Sequence, residues 1–210
     1  MTTMWLCAGT LPLAEPEALL GDYLNPTYAY GWPGYDTLVT NGAATLVTGD
    51  LLAPTLLEAH VDPARFGALA EMLPQLEGVG ALPPGPLAEA SDDDVARVAA
   101  LFAVLDAEHY RRRGIRGTIV SKVLHRKRPD LIPLYDSRID AGYRASGRIP
   151  HDPTRSWVAF MDLLCRLMRE DLQREADGFA DLVAFAAEKG AALSPLRVLD
   201  ILVWMALEEG

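Results

Sequence analysis

From Thr48 onward, apolar residues recur at intervals of three and four, the spacing of one face of an α-helix. Thr48 or Asp50 can cap a helix carrying Leu51, Leu52, Leu56 and Leu57, with Pro54 tolerated only in the first turn. Residues 63–76 predict a second helix, and the breaker-rich run 78–86 a connection. Ser91 and Asp94 form a capping-box pattern. Val95, Val98, Leu101, Phe102 and Leu105 follow it, predicting an amphipathic helix over about 92–110.

The C-terminal third reads the same way. Asp152-Pro153 predicts a cap and first helical residue, ahead of Trp157, Phe160, Met161, Leu164, Leu167 and Met168. Residues 179–187 predict a helix ended by Gly190, and Ser194-Pro195 opens one burying Leu196, Leu199, Leu202, Val203 and Leu207. Residues 1–47 differ: aromatics alternate with Gly, Pro and Asn, which predicts an ordered, loop-rich arm packed on the body. Strand-like alternation is confined to 37–47. The chain therefore predicts a mainly α fold, an arm over 1–47 and a helical domain over 48–210.

Charge changes the picture in one place. Residues 109–148 hold eleven Lys or Arg and three acids, a net of +8. With 19 cations and 29 acids in all, the other residues carry 8 against 26, or −18. A total of −10 argues against extensive coverage by nucleic acid, yet it permits a local anion site. Cys7 and Cys165 have no partner spacing for a disulfide scaffold, zinc or a cluster, and His60 and His109 have none for a metal, so no metal or cofactor is expected. Cys165, in an apolar helical pattern, reads as an inert buried thiol. The N-terminus lacks the basic region of a signal peptide, and no apolar run spans a membrane, which suggests a cytoplasmic location.

Within the basic island, Gly114 and Gly117 suit a tight turn after the 92–110 helix, and a second helix is expected from Thr118 to about Lys127. Pro129 ends it; an extended piece then reaches Tyr135 and Asp136, and a third helix is expected over 137–145. Backbone N–H groups near Gly117 and Thr118 point to a phosphate site at a helix start, with Arg111, Arg112, Arg113 and Arg116 adding charge. The rival reading pairs these arginines with acidic runs such as Asp92-Asp93-Asp94 or Glu170-Asp171. Asp136 is equally placed to cap the third helix, and His125, among Arg126, Lys127 and Arg128, to be a solvated residue.

This order of parts resembles the helix-hairpin-helix DNA glycosylase superfamily, where a hairpin close to L-P-G-V-G opens a helix and an apolar stretch ends in V-D-x-H-V. The matching residues are Gly114-Ile115-Arg116-Gly117 and Leu134-Tyr135-Asp136-Ser137-Arg138-Ile139, with Gly114 and Asp136 22 positions apart, close to the family's spacing. The run KRPDLIPLYDSRI also looks like an uncharacterised bacterial family proposed to share that fold. Departures are plain. The second hairpin glycine is Arg116 or displaced to Gly117. The lyase lysine position is Thr118, with Lys122 one turn later, and the family's His is Arg138.

The resemblance implies a helix-hairpin-helix core over about 92–127, an Asp-bearing segment over 131–146, and a monofunctional N-glycosylase-like hydrolase. Asp136 would stabilise an oxocarbenium-like transition state, without lyase chemistry. Arg111, Arg112, Arg113, Gly114, Arg116, Gly117, Thr118 and Lys122 would hold phosphate; Tyr135, Arg138, Tyr28, Tyr30 and Trp32 are candidates to line the pocket. The expected partner is an anionic ligand, a nucleotide or a short nucleic acid. The alternatives are a binding or regulatory module with a protein partner, and a biosynthetic enzyme reusing the pocket for an unrelated substrate.

Overall fold

A computed structural model describes residues 3–27, 34–38, 45–152 and 154–207. The fold is mainly helical. A small antiparallel hairpin, β1 (Met4–Leu6) and β2 (Leu11–Leu13), pairs Met4 with Leu13. Its turn carries Cys7, Ala8 and Gly9 at φ of 51, 58 and 85°. For Cys7 and Ala8 this left-handed backbone costs roughly 1–2 kcal/mol each. The buried Asp171 offsets that cost: both its oxygens accept the Ala8 N–H at 3.1 Å, and Tyr143 donates to it at 2.8 Å.

The hairpin leads into α1 (Pro16–Leu24), whose Pro16 presets the first turn. The expected loop-rich arm thus contains a hairpin, α1 and the short α2 (Gly34–Thr37). Tyr28, Tyr30, Trp32 and most of the 37–47 alternation lie outside the described residues. α1 packs on the last two helices described below.

α3 (Thr48–Leu52) starts after Val47 as cap residue, and the Asp50 side chain reaches back to accept the Val47 N–H at 2.7 Å. The expected helix through Leu57 instead tightens into a 3₁₀ turn over Ala53–Leu57, leaving Leu52 and Leu56 exposed. α4 (Pro63–Leu76) follows, with Asp62 accepting the Arg65 N–H at 2.8 Å.

The single helix expected over 92–110 is three pieces: α5 (Asp92–Ala100), a 3₁₀ stretch over Leu101–Asp106, and α6 (Glu108–Arg112). Leu101, Phe102, Val104 and Leu105 are all buried, a density that a 3.6-residue period cannot direct to one side. Ser91 caps α5 with the predicted box. Arg113 to Arg116 then form a tight turn: Gly114 takes φ of 78° and the Ile115 N–H returns to the Tyr110 carbonyl at 3.1 Å. The turn opens α7 (Gly117–His125), and an extended stretch leads to α8 (Ser137–Ala145).

α9 (Trp157–Arg174) is capped by Ser156. The expected cap, Asp152, instead holds a local turn by accepting the Thr154 N–H at 2.9 Å. α10 (Ala176–Glu188) ends before Gly190 at φ of 83°, and α11 (Pro195–Ala206) starts at Ser194, as predicted. α9 packs against α5, α10 and α11. One apolar core runs from the hairpin through α11 and includes Cys165, whose thiol burial pushes up to about 12. A smaller cluster of Tyr35, Ala53 and Leu134 supports α7 from the other side.

Candidate functional site

The fold turns much of the basic island inward. Lys122, His125 and Lys127 are buried. Lys127 Nζ meets Asp50 Oδ2 at 2.8 Å with both side chains fully enclosed. Arg126 donates to the carbonyls of Tyr35 and Leu38, and Arg128 to those of Leu82 and Pro83. His125 is therefore not a solvated residue. Its ring stacks on Tyr35, Nδ1 lies 2.7 Å from the Ile132 carbonyl, and burial pushes its pKa down to about 4.

What stays outside is a shallow depression formed by Glu108, Arg111, Arg112 and Arg116. Arg112 pairs with Glu108 at 2.6 Å, and Arg113 pairs with Glu71. The acidic runs proposed as rival partners are engaged elsewhere: Asp92 with Arg166 and Arg169, Asp94 with Ser91 and Arg97, Glu170 with Arg148, and Asp171 with Arg174. A Cβ on Gly117 would lie 2.5 Å from Trp157 Cζ3 and 2.9 Å from Tyr135 Cδ1. Two aromatic rings thus pack against the Cα of Gly117. Tyr135 packs edge-on against Trp157 and Phe160, at centroid distances of 5.5 and 5.3 Å, and is not among the residues of the cleft below.

Asp136, Thr118, Lys122 and Arg138 do come together. They line a cleft of about 280 Å³ with Glu58, Tyr23 and one face of α11: Arg197, Asp200, Ile201 and Trp204. Thr118 and Lys122 are one turn apart on α7, and the α11 residues follow an i, i+3, i+4, i+7 pattern, so each helix presents one stripe. Asp136 caps α8: its Oδ1 accepts the N–H groups of Arg138 at 2.9 Å and Ile139 at 3.0 Å. Among the described residues its Oδ2 accepts no hydrogen bond. The capping role is real, and it leaves one oxygen uncommitted.

Lys122 Nζ donates to the Leu57 carbonyl at 2.7 Å, and the Lys122 carbonyl accepts from the Tyr35 hydroxyl at 2.7 Å. Burial pushes the Lys122 ammonium down, opposed chiefly by the charges of Asp136 and Asp200. The Arg138 guanidinium lies over the Trp204 ring, 3.9 Å from its centroid. Deeper in, Arg197 donates to Asp36 through Nε at 2.9 Å and Nη2 at 3.0 Å, to the Tyr23 hydroxyl at 2.6 Å, and to Asp200. Burial pushes the Asp200 carboxyl up to about 6 against the pull of Arg197, and Asp136 adds to the rise. Glu58 sits at the rim with left-handed backbone, φ of 59°.

Three cations and three acids line this cleft, so it is close to neutral rather than an anion basin. Tyr23, Glu58, Arg197, Asp200 and Trp204 were not anticipated. Arg197 and Asp200 left a trace in the sequence: an oppositely charged pair, three residues apart, inside the apolar stripe of the last helix. Among the described residues no group of three or more His, Cys, Asp or Glu could hold a metal ion, and no helix is long and apolar enough to cross a membrane.

Comparison with known proteins gives no match among curated proteins or solved structures. Residues 16–207, which include every element from α1 to α11 and the whole cleft, match a family of unknown function (DUF6308), and the chain belongs to that family.

Proposed function

We propose that the cleft takes one base-bearing small molecule, a nucleoside, nucleotide or single unstacked base, and that Asp136 assists cleavage of its N-glycosidic bond. One observation carries the reading. The helix that follows the Gly114 turn contributes Thr118 and Lys122 to the same cavity as the carboxylate 22 residues beyond that glycine. A cavity of about 280 Å³ lies near the lower end for ligand sites and suits a single ring system better than a polymer.

Asp136 Oδ2 supplies negative charge beside the position where an oxocarbenium ion would form. Trp204 and Tyr23 add aromatic atoms to the lining, and a base would pack beside the Arg138 guanidinium that covers one face of Trp204. Arg116 precedes Thr118 by two residues, about 7 Å of chain at most, and suits a phosphate tail that reaches out of the cleft. The uncommitted oxygen of Asp136 favours this over a purely structural carboxylate.

The test is release of free base, followed chromatographically, from inosine, 7-methylguanosine, their 5′-phosphates and a single-stranded oligonucleotide. Base release is expected from at least one, reduced 100-fold or more in Asp136→Asn. Release that survives this substitution at undiminished rate sinks the role of Asp136. Ligand binding without release, unchanged by the substitution, leaves a binding module.

A further inference from the structure

Two carboxylates share this cleft, and each has one oxygen engaged by the fold and one not. Asp136 gives Oδ1 to the start of α8, and Asp200 gives Oδ2 to Arg197. Among the described residues Asp200 Oδ1 accepts no hydrogen bond, although the side chain is otherwise almost enclosed. The two differ in surroundings. Asp136 faces backbone N–H donors at the positive end of a helix, which suits a carboxylate acting as an acceptor. Asp200 stands in the apolar wall of α11, where Arg197 gives it one N–H and directs its other two donor groups to Asp36 and Tyr23.

We propose that Asp200 is the catalytic proton donor of this cleft, acting opposite Asp136; the inference rests on the reading of the cleft as an N-glycosidic site. The C1′–N bond breaks with its electron pair moving onto the base nitrogen, and that nitrogen takes the proton from the Asp200 carboxyl. Water adds to C1′ and gives its proton to the Asp136 carboxylate, and exchange with solvent returns both groups to their starting states. The products are the free base and the sugar hemiacetal.

The groups facing Asp200 favour a proton there. Arg197 from its own helix attracts the anion, but Asp36 of α2 already offsets that charge, and Tyr23 of α1 is a neutral phenol held up at about 12. Asp136 at the start of α8 repels a second negative charge, and Glu58 lines the rim with the same sign. Lys122 of α7 opposes them with an ammonium that burial weakens, and Arg138 is drawn over Trp204. Burial outweighs the attraction and raises the carboxyl to about 6. A ligand that expels water from the cleft acts in the same direction. Lys122 is the rival donor, and the test separates the two.

The discriminating pair of probes is inosine, whose base leaves as a neutral molecule only if protonated, and 7-methylguanosine, whose base is already cationic. Asp200→Asn is expected to slow release from inosine by 10²–10⁴-fold and abolish the fall in rate above pH 6, while 7-methylguanosine release stays within about twofold. Asp136→Asn is expected to slow both, and Lys122→Met to retain the inosine pH limb. Equal slowing of both probes by Asp200→Asn, or no effect on either, overturns the proposal and leaves the Asp136 reading intact. So does loss of the pH limb in Lys122→Met alone. Wild-type protein that releases neither base overturns both readings. If Asp200→Asn does not fold, carboxyl ¹³C titration of the wild type decides: an Asp200 inflection near pH 6 supports the donor, and one below 4 overturns it.

Discussion

Gly117→Ala is a sharp test of what the glycines of the turn are for. The added methyl would sit 2.5 Å from Trp157 Cζ3 and 2.9 Å from Tyr135 Cδ1, well inside van der Waals contact, so a ring must move. Both rings are held by the edge-on triangle with Phe160, and the Trp157 backbone is fixed where its main-chain N–H donates to Asp106 at 3.0 Å. Overpacking of this kind costs about 1–3 kcal/mol. The helix-propensity gain of alanine, at most about 1 kcal/mol, offsets part of it, so a net loss of about 1–2 kcal/mol is expected. Urea unfolding of wild type, Gly117→Ala, Trp157→Leu and the double variant forms a thermodynamic cycle. The double variant should be less destabilised than the sum by about 1 kcal/mol or more, because removing the ring removes the clash. Strict additivity would refute the packing argument. Loss of ligand binding at unchanged stability would show instead that Gly117 keeps backbone open for an anion.

Three further outcomes follow from the buried charges. Across pH 6.5 to 4, acidification must charge the buried His125, whose unfolded form takes the proton more readily, so this group removes roughly 3 kcal/mol of stability over that window. Asp200 has the opposite sign: its folded carboxyl holds a proton from about pH 6 where the unfolded one waits until 3.8, so acidification adds a similar amount. Relative to wild type, His125→Asn should therefore gain stability on acidification and Asp200→Asn lose it, in urea titrations from pH 7 to 4; parallel curves would contradict both. Lys127→Met strands a fully buried Asp50 carboxylate and should cost about 3–5 kcal/mol, whereas Asp50→Leu with Lys127→Met should recover most of that loss. Coincident thermal midpoints of the single and double variants would refute the stranded-charge argument.

Legibility followed the range of the interactions. Caps are local: Ser91, Ser194 and Asp136 announced their helices because the acceptor and the first N–H groups are neighbours in sequence. α1 carried the same signal at Pro16, but the surrounding Gly, Pro and aromatic residues drew the whole segment into one loop reading. The break after Ala100 is set by burial on more than one side, which apolar spacing alone cannot reveal. The basic island misled for a similar reason. Its cations bond to carbonyls of Leu57, Leu82 and Leu38, between 46 and 88 residues away, and a backbone acceptor has no signature in the sequence. Asp136 was legible and lines the cleft; its companions on α11 were hidden inside an apolar helix.

The bond from Arg197 to Tyr23 joins residues 174 apart, and α1 lies directly against α11. During synthesis at about 5–20 residues per second, α1 would wait roughly 9–36 s before α11 is even made, with its apolar face uncovered. Neither the cleft nor the charge network beneath it can exist in the nascent chain before that point. The decisive step of folding thus waits for α11, and the interval is one in which a chaperone that shields the α1 segment would raise the yield of folded protein.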